Sequence, residues 1–330
     1  MVPLYSRTGV LVAGLFLLAL QPAAMQGSDW KQLSPAMSPP ARIYPAMAYD
    51  PVSQRIVLFG GAGFNGFLDD TWTFDGKNWR QLTTSGSPGG RAAANMAFDQ
   101  PSGKLVLFGG VSGSLLQDTW LFDGATSTWT QAAPVHVPTP AAGPLLFSQP
   151  KSGQVLMFGG FNVTLKVPNL NDTYRWTGTD WQKLSRSTVP PGRGWGIAVT
   201  DPVRGNVLVA GGLGDTIRTD NTWIWNGSTW SQGFPATQVQ ALAGSGNAFD
   251  PDLGVVVVFG GFGVSAGRDV NETWSWDGAS WTQFQPTSAP SAREGIGMAY
   301  DPIHHQLVLF GGEEGNIQHA KNDTWVFTEN

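Results

Sequence analysis

Four arginines stand at one repeated position. Arg42, Arg91, Arg193 and Arg293 each lie eight residues before an aspartate. Guanidinium groups brought round a common axis would hold a carboxylate or phosphate through paired N–H donors. A second reading pairs each arginine with an acid that recurs downstream, at Asp70, Asp118, Asp172, Glu272 and Asp323. Recurrence through the chain weighs toward this structural reading, because a feature repeated across units more often serves the repeat than a ligand. Ala141 and Leu242 occupy the same position in the two units without arginine. Tyr44 and Trp195 break the pattern, each two residues after one of the arginines, and are candidates for stacking on a ligand. The candidate binding set is therefore Arg42, Arg91, Arg193, Arg293, Tyr44 and Trp195.

Residues for covalent or metal chemistry are sparse. Cysteine is absent, which removes disulfides, thiolate metal sites and thiol nucleophiles. Of the four histidines, His136, His304, His305 and His319, two are adjacent in a turn. Neighbours in a turn rarely converge on one metal, so no metal site is assigned. No phosphate loop, nucleophile elbow or Ser-His-Asp spacing is present. No catalytic residue and no cofactor are assigned. The acids Asp69, Asp215, Asp220, Asp269, Glu313 and Glu314 fall in loops from which a carboxylate pair could still be assembled.

The elements that must carry these residues come from a repeat. A diglycine after an apolar run occurs six times, ending at Gly61, Gly110, Gly160, Gly212, Gly261 and Gly312, about fifty residues apart. A segment ending in Asp-Pro or a related turn precedes each one. An alternating Thr-Trp-x-Phe/Trp segment follows, and then a second Trp. The unbroken apolar run suits a strand covered on both faces. Asp-Gly and Asn-Gly between the last two segments are hairpin signals. Each unit thus predicts a four-stranded antiparallel sheet. The sixth unit stops at Asn330, short of its second Trp. The missing piece is at the other end, where Asp29-Trp30-Lys31-Gln32-Leu33 matches Asn78-Trp79-Arg80-Gln81-Leu82. The fold expected is all-β, a six-bladed β-propeller closed by the N-terminal strand completing the last blade.

The diglycine after an apolar strand, the following Trp and the second Trp about seven residues on resemble kelch repeats. The resemblance covers residues 29–330 and implies a propeller of the type found in the central domain of galactose oxidase. It implies no single function. The copper chemistry of those oxidases needs a Cys-linked Tyr and paired His, which this chain lacks. The regular tryptophans are expected to fill the wedges between blades.

In such a blade, the connections between strands two and three, and from strand four to the next blade, share one face. Here those loops vary, as at 62–69, 161–171 and 313–322, while the opposite turns are short and uniform. Binding is expected on the variable-loop face. Net charge of -5 gives no basic surface for nucleic acid. One early Arg7, an apolar run over 10–20 and small residues to Ala24 read as a signal peptide, 1–24, followed by the propeller, 25–330. The expectation is a monomeric protein, secreted or periplasmic, without a membrane span after cleavage. It would bind a protein or carbohydrate partner without catalysis. The alternative is a carbohydrate-active hydrolase, lyase or epimerase using the same face.

Overall fold

In the computed structural model, residues 27–214 and 219–329 are described. The expected signal segment, 1–24, lies outside them, as does Asp215. No α-helix occurs in these residues, and none is long and apolar enough to cross a membrane. The described residues form six four-stranded antiparallel sheets. The first is Ala46–Asp50, Arg55–Phe59, Thr71–Phe74 and Trp79–Leu82 in spatial order. Strand one of each sheet touches strand one of the next, and the last touches the first. The six sheets therefore stand as blades round a closed ring, with strand one innermost.

Sequence chemistry explains the layers. Ile56, Val57, Leu58 and Phe59 are at most 1% exposed because strand two is sandwiched between neighbouring blades. Each apolar cluster joins two blades; Trp79, Phe74 and Leu58 of blade 1 pack on Val308, Phe310 and Val326 of blade 6. The second tryptophan of each unit fills the wedge, as expected, and also makes a polar contact. Its indole donates to the threonine opening strand three of the preceding blade: Trp79 to Thr324, Trp129 to Thr71, Trp181 to Thr119, Trp230 to Thr173 and Trp281 to Thr222. Trp30 supplies the sixth bond, to Thr273 at 3.1 Å.

The diglycines have a joint of their own. The second glycine's N–H donates to the carbonyl at the arginine position of the next blade, for example Gly61 to Arg91 at 2.8 Å and Gly312 to Arg42 at 3.0 Å. The backbones are so close that a Cβ on Gly60 would lie 2.7 Å from the Arg91 carbonyl oxygen. Gly60 and Gly61 also have φ of +65° and +102°, a region that side chains rarely enter.

Closure runs through the N-terminal strand. Ser28–Leu33 pairs with Thr324–Glu329, with Trp30 opposite Phe327. Trp30 is 2% exposed, and its ring lies 5.1 Å from both Phe259 and Phe327.

Candidate functional site

The residue two places after each arginine position enters strand one at the channel mouth. These six residues are Tyr44, Ala93, Gly143, Trp195, Gly244 and Gly295. Their backbones bond in a cycle. Tyr44 N–H donates to Gly295, Gly295 to Gly244, Gly244 to Trp195, Trp195 to Gly143, Gly143 to Ala93, and Ala93 to Tyr44, at 2.7–3.0 Å. Every member has φ between +50° and +68°. Glycine adopts that conformation freely, whereas Tyr44, Ala93 and Trp195 each hold it at a cost of roughly 1–2 kcal/mol. The glycines also make room. A Cβ on Gly143 would lie 2.7 Å from the Trp195 ring, and one on Gly295 would lie 3.2 Å from the Tyr44 ring. Tyr44 and Trp195 come from opposite blades yet their rings are 6.4 Å apart, so together they cover the axis. Phe161 extends the aromatic surface, 5.3 Å from Trp195. Inside the belt lies a cavity of about 190 Å³, lined by Tyr44, Trp195, Asn95, Asn247, Ser245 and strand-one apolar groups.

The four arginines sit elsewhere. Arg42, Arg91, Arg193 and Arg293 are 0–3% exposed and do not line that cavity. Arg42 forms a two-point pair with Asp70, at 2.6 and 2.8 Å, and donates to Gly60 O and Pro40 O. Arg91 pairs with Asp118 and Arg293 with Asp323 in the same way. Burial raises the carboxyls of Asp70, Asp118 and Asp323, but the arginine and a tryptophan indole more than offset it, holding each below its usual range. Arg193 finds Asn221 instead of an acid, at 2.6 Å. Burial then lowers its guanidinium to about 10. This is the arrangement of the structural reading: donors turned into the blade and already occupied.

A second group of side chains gathers beside Tyr44, at the junction of blades 5, 6 and 1. The Tyr44 hydroxyl donates to Glu294 Oε2 at 2.7 Å. Glu294 and Glu313 face each other across a two-bond backbone bridge, each N–H donating to the other's carbonyl at 2.9 Å. Asp269 joins from the neighbouring loop, accepting from Gly315 N–H at 2.7 Å. Burial raises the Glu294 carboxyl; Tyr44 opposes this, and the charges of Asp269 and Glu313 add to it. Glu313 is raised by burial and by Asp269, with His319 opposing. Burial, then the Glu294 charge, lifts the Tyr44 hydroxyl well above its usual range.

Of the sequence candidates, the structure thus brings together Tyr44 and Trp195 at the mouth. Of the loop acids, Asp269 and Glu313 meet, whereas Asp69 and Glu314 are exposed. Glu294 was not singled out from sequence. The signal was present, since the residue after the arginine position is Ile43, Ala92, Ala142, Gly194 or Ala243 in the other units. His304 and His305 lie on the opposite face, and each turns to its own acid, Asp301 at 2.8 Å and Asp252 at 3.0 Å.

Comparison with protein families matches residues 14–146 to the KLHDC2/KLHL20/DRC7 Kelch-repeats domain. Comparison with solved structures gives a likeness to one titled "Structure of YjhT", with a TM-score of 0.67 at 17% identity. The alignment covers 88% of this chain and 95% of that one. At that identity the likeness speaks for the fold. Comparison with curated proteins gives no match.

Proposed function

We propose that this β-propeller, whose residues 14–146 match a Kelch-repeats domain and whose fold is like that of a solved structure, is an exported, non-catalytic binding protein of the kelch-repeat kind. It takes a protein or carbohydrate partner on the variable-loop face, with the channel mouth at the centre of the contact. One observation carries this reading. Two large aromatic rings, Tyr44 and Trp195, are held over the axis by strained backbone at positions where the other blades have Gly or Ala. Strain kept at a surface mouth argues for use, and rigid aromatic side chains are common anchors of interfaces. The arginines are not part of the proposed contact, because their donors are spent within the blades. Export rests on the N-terminal segment. Capture of proteins and glycans by the chain, repeated with the Tyr44→Ala/Trp195→Ala variant, tests the reading. Loss of a captured partner with retained folding is expected; unchanged capture would overturn it.

A second reading is a carbohydrate-active enzyme, favoured by the meeting of Glu294 and Glu313 beside Tyr44. It ranks lower because the cavity, about 190 Å³, is below the roughly 300–1,000 Å³ of ordinary ligand pockets, and neither glutamate lines it. Turnover of a glycoside, or faster sugar anomerisation, that is lost in Glu294→Gln would establish it.

A further inference from the structure

The bridge that holds Glu294 opposite Glu313 occurs once in every blade. The other five pairs are Ile43 with Ala62, Ala92 with Val111, Ala142 with Phe161, Gly194 with Leu213, and Ala243 with Phe262. The repeat therefore supplies five internal controls, and all five are apolar or glycine. The bridge needs no charge to form. Placing like charges directly opposite is unfavourable in a strand pair, and blade 6 does so with both glutamates.

Burial sharpens the anomaly. Glu313 is 9% exposed, and its Oε2 is buried without a hydrogen-bond partner among the described residues. Asp269, also 9% exposed, is tied by the Gly315 N–H to the loop that begins at Glu313. Among the described residues, hydrogen bonds to the three carboxylates come from one phenol and one backbone N–H, and none of the three is in an ion pair with Lys or Arg. A buried carboxylate oxygen without a donor costs several kcal/mol unless something supplies one. Among the described residues no three acidic or histidine side chains are grouped as a metal ion requires. A cation that brings several N–H donors of its own suits carboxylates that do not group round a single ion. The Tyr44 ring beside Glu294 offers such a cation an aromatic face as well.

We propose that Glu294, Glu313, Asp269 and the Tyr44 ring bind the guanidinium or ammonium group of an arginine or lysine side chain on a partner polypeptide. This deepens the loop-face reading and rests on it. The cation supplies the donors that Glu313 lacks and neutralises the opposed pair. The Trp195 ring, 6.4 Å from that of Tyr44, then offers its aliphatic stem an apolar surface.

The test uses the full chain, labelled with ¹⁵N, and follows the Trp195 indole resonance, assigned by its loss in Trp195→Phe. Probes are methylguanidinium chloride, butylammonium chloride, sodium butyrate, calcium chloride and the peptide Gly-Gly-Arg-Gly-Gly, at matched ionic strength. Saturable shifts are expected with both organic cations, and tighter binding with the peptide. Glu313→Gln should weaken binding about tenfold or more, a loss typical of a charge-assisted contact, while Glu314→Gln, an exposed neighbour, should leave it unchanged. A thermal midpoint for Glu313→Gln no lower than the parent's verifies folding. Equal shifts with butyrate, a response to calcium alone, or unaltered affinity in Glu313→Gln would overturn the cation site. Equal affinity for methylguanidinium and the peptide would overturn the assignment to a polypeptide. Partner capture lost in Tyr44→Ala/Trp195→Ala but kept in Glu313→Gln would sink the cation site and leave the loop-face reading standing.

Discussion

At the scale of single residues, the blades solve one problem in several ways. Blades 1, 2 and 6 use a buried Arg–Asp pair. In blade 3, Asp172 turns to Lys183 and Tyr174. In blade 5, Glu272 accepts from Gln240 and Trp274. Among the described residues, blade 4 keeps Arg193 without an acid, and the Trp223 indole there has no partner. Asn221→Asp should restore the pair and give Trp223 an acceptor, stabilising the protein by about 1–3 kcal/mol in denaturant titration. Arg42→Ala should do the reverse and cost about 3–5 kcal/mol, because it strands Asp70 in a part-buried site. At the mouth, Gly143→Ala should push the Trp195 ring aside and change its indole resonance, since its Cβ has no room. Ala93→Gly, at the equivalent belt position, should instead stabilise by roughly 1 kcal/mol, by relieving a left-handed alanine.

At the scale of elements, strands and turns were legible because their causes are local. Apolar runs, Thr-Trp alternation and Asp-Gly turns each declare themselves within ten residues. The displaced strand was legible too, since Trp30 answers a gap after Trp325. What sequence hid was contact between units. The diglycine is needed because the next blade's carbonyl approaches it, and only the assembled ring shows that. The belt was equally hidden: Tyr44 and Trp195 drew attention as exceptions, but their equivalence to Ala93, Gly143, Gly244 and Gly295 depends on a shared φ. Glu294 escaped notice because an acid in a loop-face segment is ordinary until its five counterparts are aligned by the bridge. The N-terminal strand offers a direct check. Trp30→Ala should cost about 3–5 kcal/mol, as loss of a buried tryptophan does. Deleting residues 27–33 should lower the thermal midpoint further, and a synthetic peptide of residues 27–35 should restore it in part.

At the scale of the whole molecule, two sets of carboxyls pull stability in opposite directions. Asp70, Asp118 and Asp323 are held below their usual range. Their contribution is complete above the unfolded value, about 4, and is lost as pH falls through their lower native values. Glu294 and Glu313 are raised, and burial brings Asp250 to about 6. These groups take up protons earlier in the native state, so their effect is to increase stability as pH falls toward about 4. Calorimetry should therefore find a midpoint that rises from pH 7.5 to 5 and drops below pH 4. Combining Glu294→Gln, Glu313→Gln and Asp250→Asn should flatten the rise and spare the acid-side fall. The seam in blade 6 has a further consequence. Ser28 lies directly opposite Glu329, at the end of the blade away from the channel mouth. Any segment preceding the one or following the other departs from the same spot on the rim. A tether or fused domain at either end would thus leave the mouth facing outward, like a dish on its stalk. A short linker joining these two residues, with the chain reopened in a variable loop, should give a circular permutant of unchanged register.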